Sequence, residues 1–443
     1  MTVPTLQDAI DQAGSPIRLL WKPNAPRWSP PVVPAEFVGW REEQSAAYET
    51  VALSDMCHHM WNLFIEGPDA LRLLSDYSAN NYDDFAIGQA KQSIVVTEEG
   101  YLVGDNILTR DGVEKFTLSG VPSALAWVRY HGETGDYDVS FSLDSDSAVR
   151  QGADPVLFRF QLQGPRALEL VEQAFGGPLP KTKFFHSTPV TLGDRTFRAL
   201  RHGMTGQPGY EFIGEYKDGE FVKQTLLEAG EQFGLVQVGA WAYGTNAVDS
   251  GWIPMPTPGI YTAPELRGYR EAIPALSFDG LKPLRGSYFS ENIEDFYSTP
   301  YELGYGRLIS FNHDFVGRQA LEHAREHTTR ERVTLVLDAE QARRQWGGDL
   351  LQETQARYRV EADDQVVGVA FDTAPVVVRG TVLALAVIDK KYATPGTEVT
   401  FVWGEHPGPG TDPDADLGFD RIKATVQVAP YNEYARTGYR SND

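Results

Sequence analysis

Cysteine is almost absent from this sequence, which has 443 residues and a single cysteine, Cys57. One thiol excludes an internal disulfide and a metal cluster built from cysteines, so a reducing cytoplasm is the compartment we expect. Long apolar runs are also missing, because no stretch approaches the roughly 18 apolar residues of a membrane span. Residues 1–14 lack the positively charged region that opens a signal peptide. We therefore predict a cytoplasmic protein without membrane contact.

Positive charge is scarce as well. The chain has 39 lysines and arginines against 61 aspartates and glutamates, which gives a net charge of −22. This balance argues against nucleic acid and anionic membrane surfaces as partners, because both are repelled by a strongly acidic protein. An anionic substrate would need local arginine or lysine side chains to compensate.

Glycine, in contrast, is concentrated in residues 201–211, RHGMTGQPGYE, where Gly203, Gly206 and Gly209 are spaced three apart. That composition predicts a tight loop that another group can approach closely. Aromatic and apolar residues follow and indicate the start of a strand. Glu211 lies at this junction. It is either solvated at the strand end or partly buried against a hydrogen-bonding ligand.

Alternating helix and strand patterns predict an α+β fold. A strand, a Gly-Pro turn and a helix follow one another around residue 67 and again around residue 164, which suggests two similar α+β halves. Six short apolar runs near the C-terminus predict a β barrel or sandwich, and they comprise residues 333–337, 366–371, 376–378, 382–388, 399–403 and 422–428. We predict two domains, residues 1–330 and 331–443.

Several residues could carry chemistry. His58 and His59 are adjacent and point to opposite faces of an extended chain, so they do not share a metal ion. The sequence has no HExxH or CxxC motif, and we predict no metal site. Either histidine could act as a general acid or base, or be a hydrogen-bonded structural residue. Asp105 is a β-bulge residue or a functional carboxylate, and Tyr243 a core residue or a phenol exposed to a site. The residues alone indicate an α+β enzyme or binding protein with a glycine-rich pocket.

Seven motifs occur in an order that resembles a known family. They are residues 55–60 (DMCHHM) followed by 67–70 (GPDA), 100–105 (GYLVGD), 162–165 (LQGP), 201–211, 238–240 (VGA), 249–251 (DSG) and 314–321 (DFVGRQAL). Together they resemble the tetrahydrofolate-dependent aminomethyltransferases, whose archetype is the T-protein of the glycine cleavage system. The resemblance covers roughly residues 35–430.

The chain is most similar to one branch of that family, the bacterial aromatic O-demethylases that act on vanillate, syringate or 3-O-methylgallate. The doubled histidine before Met60 is typical of this branch, as are residues 130–131, 183–185, 250–254, 292–295 and 312–315. The T-protein usually has one histidine there and lacks the long segment 252–300.

The resemblance implies a T-protein-like fold of three domains around a central pore that holds tetrahydrofolate. Glu211 would face the amino and ring N–H donors of the pterin, since a carboxylate accepts two parallel hydrogen bonds. Gln163 and Trp252 would line the same pocket, and Asp105 corresponds to an aspartate near the reactive nitrogen of the folate.

The resemblance also implies a reaction. The methyl group of an aryl methyl ether, of the kind derived from lignin, would move to N5 of tetrahydrofolate and give 5-methyltetrahydrofolate and a phenol. Phenoxide leaves poorly, because the pKa of phenol is about 10, so a donor at the leaving oxygen assists. His59 and Tyr243 would flank the substrate, and one of them is that donor.

One departure from the branch concerns the substrate. The vanillate-type enzymes have an arginine after the glycine that Gly120 matches, where this chain has Val121, and a tyrosine near the position of Pro30. The substrate is therefore either an uncharged methoxyphenol or a benzoate held by another cation, for which Arg27 is the candidate. We expect Trp28 and His58 to contact the substrate as well.

Two other functions stay open. The same fold could move a methyl group from a sulfonium or a methylamine, because aromatic walls and carboxylates suit a cation. The chain could also be a folate-binding relative without turnover, although the combination of Asp105, Glu211, His59 and Tyr243 argues against it.

Overall fold

The structure is a computed structural model that describes residues 3–26, 28–346 and 355–438. Its strands, in chain order, are β1 (Val51–Asp55), β2 (Trp61–Glu66), β3 (Ala90–Val96), β4 (Leu102–Arg110), β5 (Lys115–Gly120), β6 (Ser140–Asp144), β7 (Leu157–Gln163), β8 (Ser187–Leu192), β9 (Arg195–Leu200), β10 (Gly209–Glu215), β11 (Leu235–Val238), β12 (Arg330–Leu337), β13 (Tyr358–Ala362), β14 (Gln365–Val376), β15 (Thr381–Asp389), β16 (Glu398–Trp403) and β17 (Asp420–Gln427).

The helices are α1 (Leu6–Ala13), α2 (Pro16–Leu20), α3 (Trp40–Glu49), α4 (Ala70–Asp76), α5 (Pro122–Thr134), α6 (Ser147–Arg150), α7 (Ala167–Phe175), α8 (Gly219–Gly230), α9 (Ala240–Tyr243), α10 (Asn246–Ser250), α11 (Arg267–Ala272), α12 (Phe278–Leu281), α13 (Arg318–His327), α14 (Ala339–Trp346) and α15 (Glu433–Thr437). None of the helices in the described ranges is long and apolar enough to cross a membrane.

The strands form three sheets. A six-stranded sheet has the order β11-β1-β7-β10-β9-β8, and a five-stranded sheet has the order β3-β4-β5-β2-β6. Strands β12 to β17 close into a six-stranded barrel within the described residues. The predicted α+β class and the predicted C-terminal barrel are confirmed.

The strand β7 of the six-stranded sheet has one apolar face and one polar face. Its sequence alternates, so that Phe158, Phe160 and Leu162 pack in an apolar core with α7 and α8, while Arg159 lies on the opposite face. All of these side chains are buried. Because successive side chains of a strand point to opposite faces, this strand supplies an apolar core on one side and polar groups on the other.

The strand, Gly-Pro turn and helix that the sequence repeats are found in both sheets. In the five-stranded sheet β2 leads into α4, and in the six-stranded sheet β7 leads into α7. Each sheet thus contains one copy of the predicted unit, at the positions where the sequence places it.

The barrel differs from the prediction in two strands, β13 and β14. Residues 376–378 were predicted as a strand, but β14 runs through to Val376 and the next residues form a 3-10 turn, Val377–Arg379. The strand β13 was missed, although Tyr358 and Val360 alternate there with charged residues and are buried. The long β14 was cut in two because Asp372 interrupts its apolar run, and this carboxylate is buried beside Arg357 and Lys282.

The barrel is not isolated from the rest of the chain. Val369 and Phe371 of the barrel share one apolar core with Ile94 and Val96 of the five-stranded sheet. Since the core crosses residue 330, the predicted division into domains 1–330 and 331–443 stays a prediction.

The long segment 252–300 folds as a packed insertion. It holds α11, α12 and two 3-10 turns, Pro264–Leu266 and Ile293–Phe296, and it packs its buried tyrosines into the same core as α1 and α2. Its first residues pass directly beside the site described below.

Candidate active site

A cavity of about 1380 Å³ opens among the two sheets, α5, the segment 252–300 and the chain that follows β17. Seven of the predicted site residues line it, namely Trp28, His59, Asp105, Val121, Glu211, Tyr243 and Trp252. Gln163 and His58 are not among its lining residues. Arg27 lies outside the described residues, so its predicted contact with the substrate stays a prediction.

His59 and Tyr243 form a hydrogen-bonded pair inside the cavity. The distance between His59 Nε2 and Tyr243 Oη is 2.7 Å, and the two rings meet edge to face. Burial lowers the pKa of His59 to about 3, although the Asp55 carboxylate opposes this shift. Burial, helped by the charge of Glu211, raises the pKa of Tyr243. At neutral pH the pair therefore consists of a neutral imidazole and a protonated phenol.

The other nitrogen of His59, Nδ1, is buried and has no partner in the described part of the chain. A buried polar atom without a partner is uncommon, and it indicates a place where a ligand group can bind.

Asp105 accepts two hydrogen bonds at one oxygen, and the Tyr305 hydroxyl also lies near its carboxyl group. The Trp252 indole N–H donates to its Oδ2 at 2.8 Å, and the Gln92 amide donates to the same oxygen at 2.6 Å. Its Oδ1 is buried and has no partner among the described residues. Burial raises the pKa of Asp105 to about 6, and the hydrogen bonds from Trp252 and Gln92, the Tyr305 hydroxyl and the charge of Arg332 oppose that rise. The Oδ1 atom is available to an N–H donor of a bound ligand.

Glu211 lies in β10 and is only 1% exposed. The predicted alternative of a solvated strand end is therefore wrong for this carboxylate. Arg159 on the neighbouring strand β7 donates to Glu211 Oε1 at 2.5 Å and fixes its orientation. A buried charge needs such a partner, because removing a carboxylate from water is costly.

Gln163 holds the glycine-rich loop in place. Its side-chain oxygen accepts from the backbone N–H of Thr205 at 3.0 Å, and its amide donates to the backbone oxygen of Gln207 at 2.9 Å. A Cβ on Gly203 would come within 1.3 Å of the Gln163 Nε2 atom. The loop therefore needs glycine here because the backbone passes directly over the glutamine.

His58 turns away from the cavity. Its Nδ1 lies 2.9 Å from the Ser147 hydroxyl, and its ring meets Tyr216 edge to face. Trp28, in contrast, packs edge to face on His59 with the ring centroids 5.8 Å apart, and it is 42% exposed. Val121 lines the cavity directly before α5.

Two contributors were missed at the level of the sequence. Arg159 pairs with Glu211, and Gln92 holds Asp105. A charged residue between two phenylalanines of an apolar strand was a usable signal for Arg159, because arginine is rarely buried unpaired. Gln92 had no comparable signal, since its partner is thirteen residues away on β4.

The residues present fit tetrahydrofolate. Two buried carboxylates, Glu211 and Asp105, match the N–H donors of a pterin ring, and Trp252 offers a flat apolar surface beside them. Pockets for one drug-sized ligand measure about 300–1,000 Å³, so a cavity of about 1380 Å³ has room for a second ligand beside the first.

The fold and the site together define a folate-binding transferase. The family model of the GCVT N-terminal domain matches residues 21–255, and the chain belongs to the tetrahydrofolate-dependent aminomethyltransferase family. Among solved structures, the glycine cleavage system aminomethyltransferase T from Bartonella henselae has the same fold, with a TM-score of 0.64 at 19% identity over 91% of this chain and 92% of that one. The predicted family is confirmed.

Two relatives are named as an O-demethylase and a methylene transferase. The chain is 38% identical to syringate O-demethylase from Sphingobium sp. (strain NBRC 103272 / SYK-6), over 98% of this chain and 97% of that protein. It is 28% identical to sesamin methylene transferase from Sinomonas sp. (strain No.22), over 90% of each chain.

Proposed function

We propose that this protein is a tetrahydrofolate-dependent O-demethylase. It takes the methyl group of a methoxylated aromatic ring and transfers it to tetrahydrofolate, which leaves a phenol and 5-methyltetrahydrofolate. The observation that carries the proposal is the 2.7 Å hydrogen bond between His59 and Tyr243, inside the cavity that also contains Asp105 and Glu211. The chain covers nearly the full length of the syringate O-demethylase that it resembles.

In this proposal Tyr243 donates a hydrogen bond that stabilises the leaving oxygen, and the proton that N5 loses when it takes the methyl group ends on the phenol product. A phenol whose pKa is raised stays protonated at neutral pH and can donate its O–H to an aryl ether oxygen. In this proposal the neutral His59 carries its proton on Nε2 and donates it to the Tyr243 oxygen, 2.7 Å away. The phenol hydrogen then turns from the neighbouring methionine sulfurs to the substrate. His59 itself carries no ionisable proton near pH 7, because its pKa is about 3.

Glu211 and Asp105 bind the pterin ring of tetrahydrofolate and fix its orientation in this proposal. Tetrahydrofolate, when bound, supplies the N5 lone pair that accepts the methyl group. Arg159 keeps Glu211 fixed, and the indole of Trp252 keeps Asp105 fixed, so neither carboxylate has to reorganise when N–H donors arrive. Holding two reactants in line is worth about 7 kcal/mol or more of the barrier.

The ring that binds beside Tyr243 meets apolar and aromatic side chains. Trp28, Val121 and Phe184 line the cavity with His59 and Tyr243. Val121 adds no charge for a carboxylate at this position. We therefore infer that a carboxylate on the substrate, if there is one, pairs with one of the cations that line the cavity and not with position 121.

The test is a methyl-transfer assay. Purified protein is mixed with tetrahydrofolate under anaerobic conditions and offered guaiacol-type phenols, methoxybenzoates including syringate, a methylenedioxy arene, a sulfonium and methylated amines. The readout is 5-methyltetrahydrofolate by mass spectrometry, together with the demethylated product.

Each outcome separates two functions. Transfer from an aryl methyl ether supports the O-demethylase. Transfer from only the sulfonium or an amine replaces the aryl ether with another methyl donor. Folate binding without product from any donor identifies a non-catalytic relative.

A further inference from the structure

The methionines in the described part of the chain are confined to one place. The sequence has five, of which Met1 lies outside the described residues. The other four, Met56, Met60, Met204 and Met255, all line the cavity. They come from three distant parts of the chain, so no single helix or strand accounts for their convergence.

A packing role in the core accounts for Met56, which is 1% exposed, but not for the other three methionines, which are only partly buried. Among the described residues, the hydrophobic core clusters contain leucine, isoleucine, valine and aromatic side chains, and no methionine. Methionine is usually the residue that fills irregular gaps in such cores. Here all four methionines line the cavity in which we place the ligands.

Two of the sulfur atoms touch the proposed hydrogen-bond donor. Tyr243 Oη lies 3.7 Å from Met204 Sδ and 3.9 Å from Met56 Sδ. The Tyr243 hydroxyl donates toward these sulfur atoms. Because sulfur is a weak hydrogen-bond acceptor, an ether oxygen of the substrate can replace it as the acceptor. An oxygen acceptor at either position would hold the hydroxyl proton more strongly than the ether oxygen does.

A thioether side chain also adapts to its neighbour. Methionine has an unbranched chain with three rotatable bonds and a polarisable sulfur that packs favourably on aromatic rings. Surfaces rich in methionine accept partners of different shapes because they repack around each of them.

We propose that Met56, Met60, Met204 and Met255 form an adaptable wall that lets this one site accept methoxylated aromatic rings of several substitution patterns. This inference rests on the proposed O-demethylase function and names the residues that set its substrate range.

The first experiment compares substrate profiles. In the double variant Met60→Leu/Met204→Leu each change conserves volume but introduces a branched, stiffer side chain. We expect the ratio of kcat/KM between mono- and dimethoxylated donors to change about tenfold, the size of discrimination that a reshaped apolar pocket gives. A uniform change for all donors, or none, overturns the proposal. The wild-type protein in the same assay reports separately on the O-demethylase function.

The second experiment does not depend on turnover. Hydrogen peroxide converts each accessible thioether to a sulfoxide, releasing water, and peptide mass spectrometry follows each methionine. We expect a saturating methoxyarene to slow sulfoxide formation several-fold at Met60 and Met204. The matched control is Leu168→Met, which adds a methionine at a 47% exposed position on α7 away from the cavity.

This control fixes the interpretation. Protection of Met60 and Met204 with no protection at residue 168 supports the wall. Equal protection at all positions reports scavenging of peroxide by the arene, and equal oxidation with and without the arene shows that the methionines do not touch it. Either of these last results overturns the proposal.

Discussion

The protonation states in the cavity follow from burial acting on individual side chains. Loss of water disfavours the charged form of any group, which keeps His59 neutral and Tyr243 protonated. A neutral donor next to the departing oxygen suits a reaction in which negative charge develops on that oxygen. Both residues are therefore uncharged hydrogen-bonding groups at neutral pH.

Tyr243→Phe removes the proposed donor and keeps the ring. We expect kcat to fall by about 10²- to 10³-fold, the usual cost of removing one hydrogen-bond donor to a developing negative charge. The matched control is Tyr210→Phe, a buried tyrosine that does not line the cavity and whose loss should leave turnover near the wild-type value. Unchanged turnover in Tyr243→Phe would assign the donor elsewhere.

Asp105 predicts a pH dependence. Its pKa of about 6 means that the carboxylate accepts hydrogen bonds above that pH and becomes protonated below it. We expect kcat/KM for tetrahydrofolate to fall as the pH drops through about 6. Asp105→Asn should lower kcat/KM at pH 7 and remove this limb of the profile, and a limb that persists in the variant belongs to another group.

Asp105 also makes the stability of the fold depend on pH, and stability changes with pH in the direction opposite to kcat/KM. The unfolded carboxyl has a pKa of about 4, so between pH 4 and 6 the folded protein binds more protons at Asp105 than the unfolded chain does. Stability must then decrease as the pH rises through this window. We expect the melting temperature of the wild type, relative to that of Asp105→Asn, to decrease as the pH rises from 4 to 6.

At the scale of single elements, the glycine-rich loop depends on strand β7. Gln163 ends that strand and bonds to Thr205 and Gln207 of the loop, which places Met204 in the cavity wall. The loop thus takes its shape from a neighbour that is forty residues earlier in the chain.

Gly203→Ala tests this support. The new Cβ would overlap Gln163 Nε2, which lies 1.3 Å from its position, so the glutamine must move and its hydrogen bonds to the loop are lost. We expect a loss of about 1–3 kcal/mol in the free energy of unfolding, as for buried groups left unpaired, and a raised KM for tetrahydrofolate. Gly112→Ala, whose nearest contact would be 3.4 Å, is the control and should change neither value.

At the scale of the whole molecule, Arg159 joins the two large sheets behind the cavity. It starts on β7 of the six-stranded sheet, pairs with Glu211, and donates to Asn62 Oδ1 at 3.2 Å and Ser119 Oγ at 2.9 Å in the five-stranded sheet. The same guanidinium therefore orients a ligand-binding carboxylate and connects the walls that enclose it.

Arg159→Met leaves Glu211 buried without its partner. We expect a loss of about 3–5 kcal/mol in the free energy of unfolding, the cost of breaking a buried ion pair from one side, measured by denaturant or thermal melting. The double variant Arg159→Met/Glu211→Met should recover much of that loss. Arg267→Met removes a 57% exposed arginine paired with Glu271 and should cost little. Equal losses for the two arginine variants would contradict the bridging role.

The sequence by itself determined the local elements and the class of chemistry. Alternation and turn residues predicted the strand, turn and helix that occur twice, and the barrel strands except β13, because these signals depend on neighbours along the chain. The motifs at Asp105, His59 and Glu211 indicated a folate enzyme, because a motif preserves residue types at fixed spacing.

Only the tertiary structure decided how these residues are used. It turned His58 outward and His59 inward, buried Glu211 against Arg159, and moved Gln163 from the cavity wall to the support of the loop. Each of these outcomes depends on contacts between sheets or on loops far apart in sequence. Such contacts determine how deeply each side chain is buried and which groups it bonds to. Burial and bonding partners in turn determine its protonation state, which no local pattern of residues specifies.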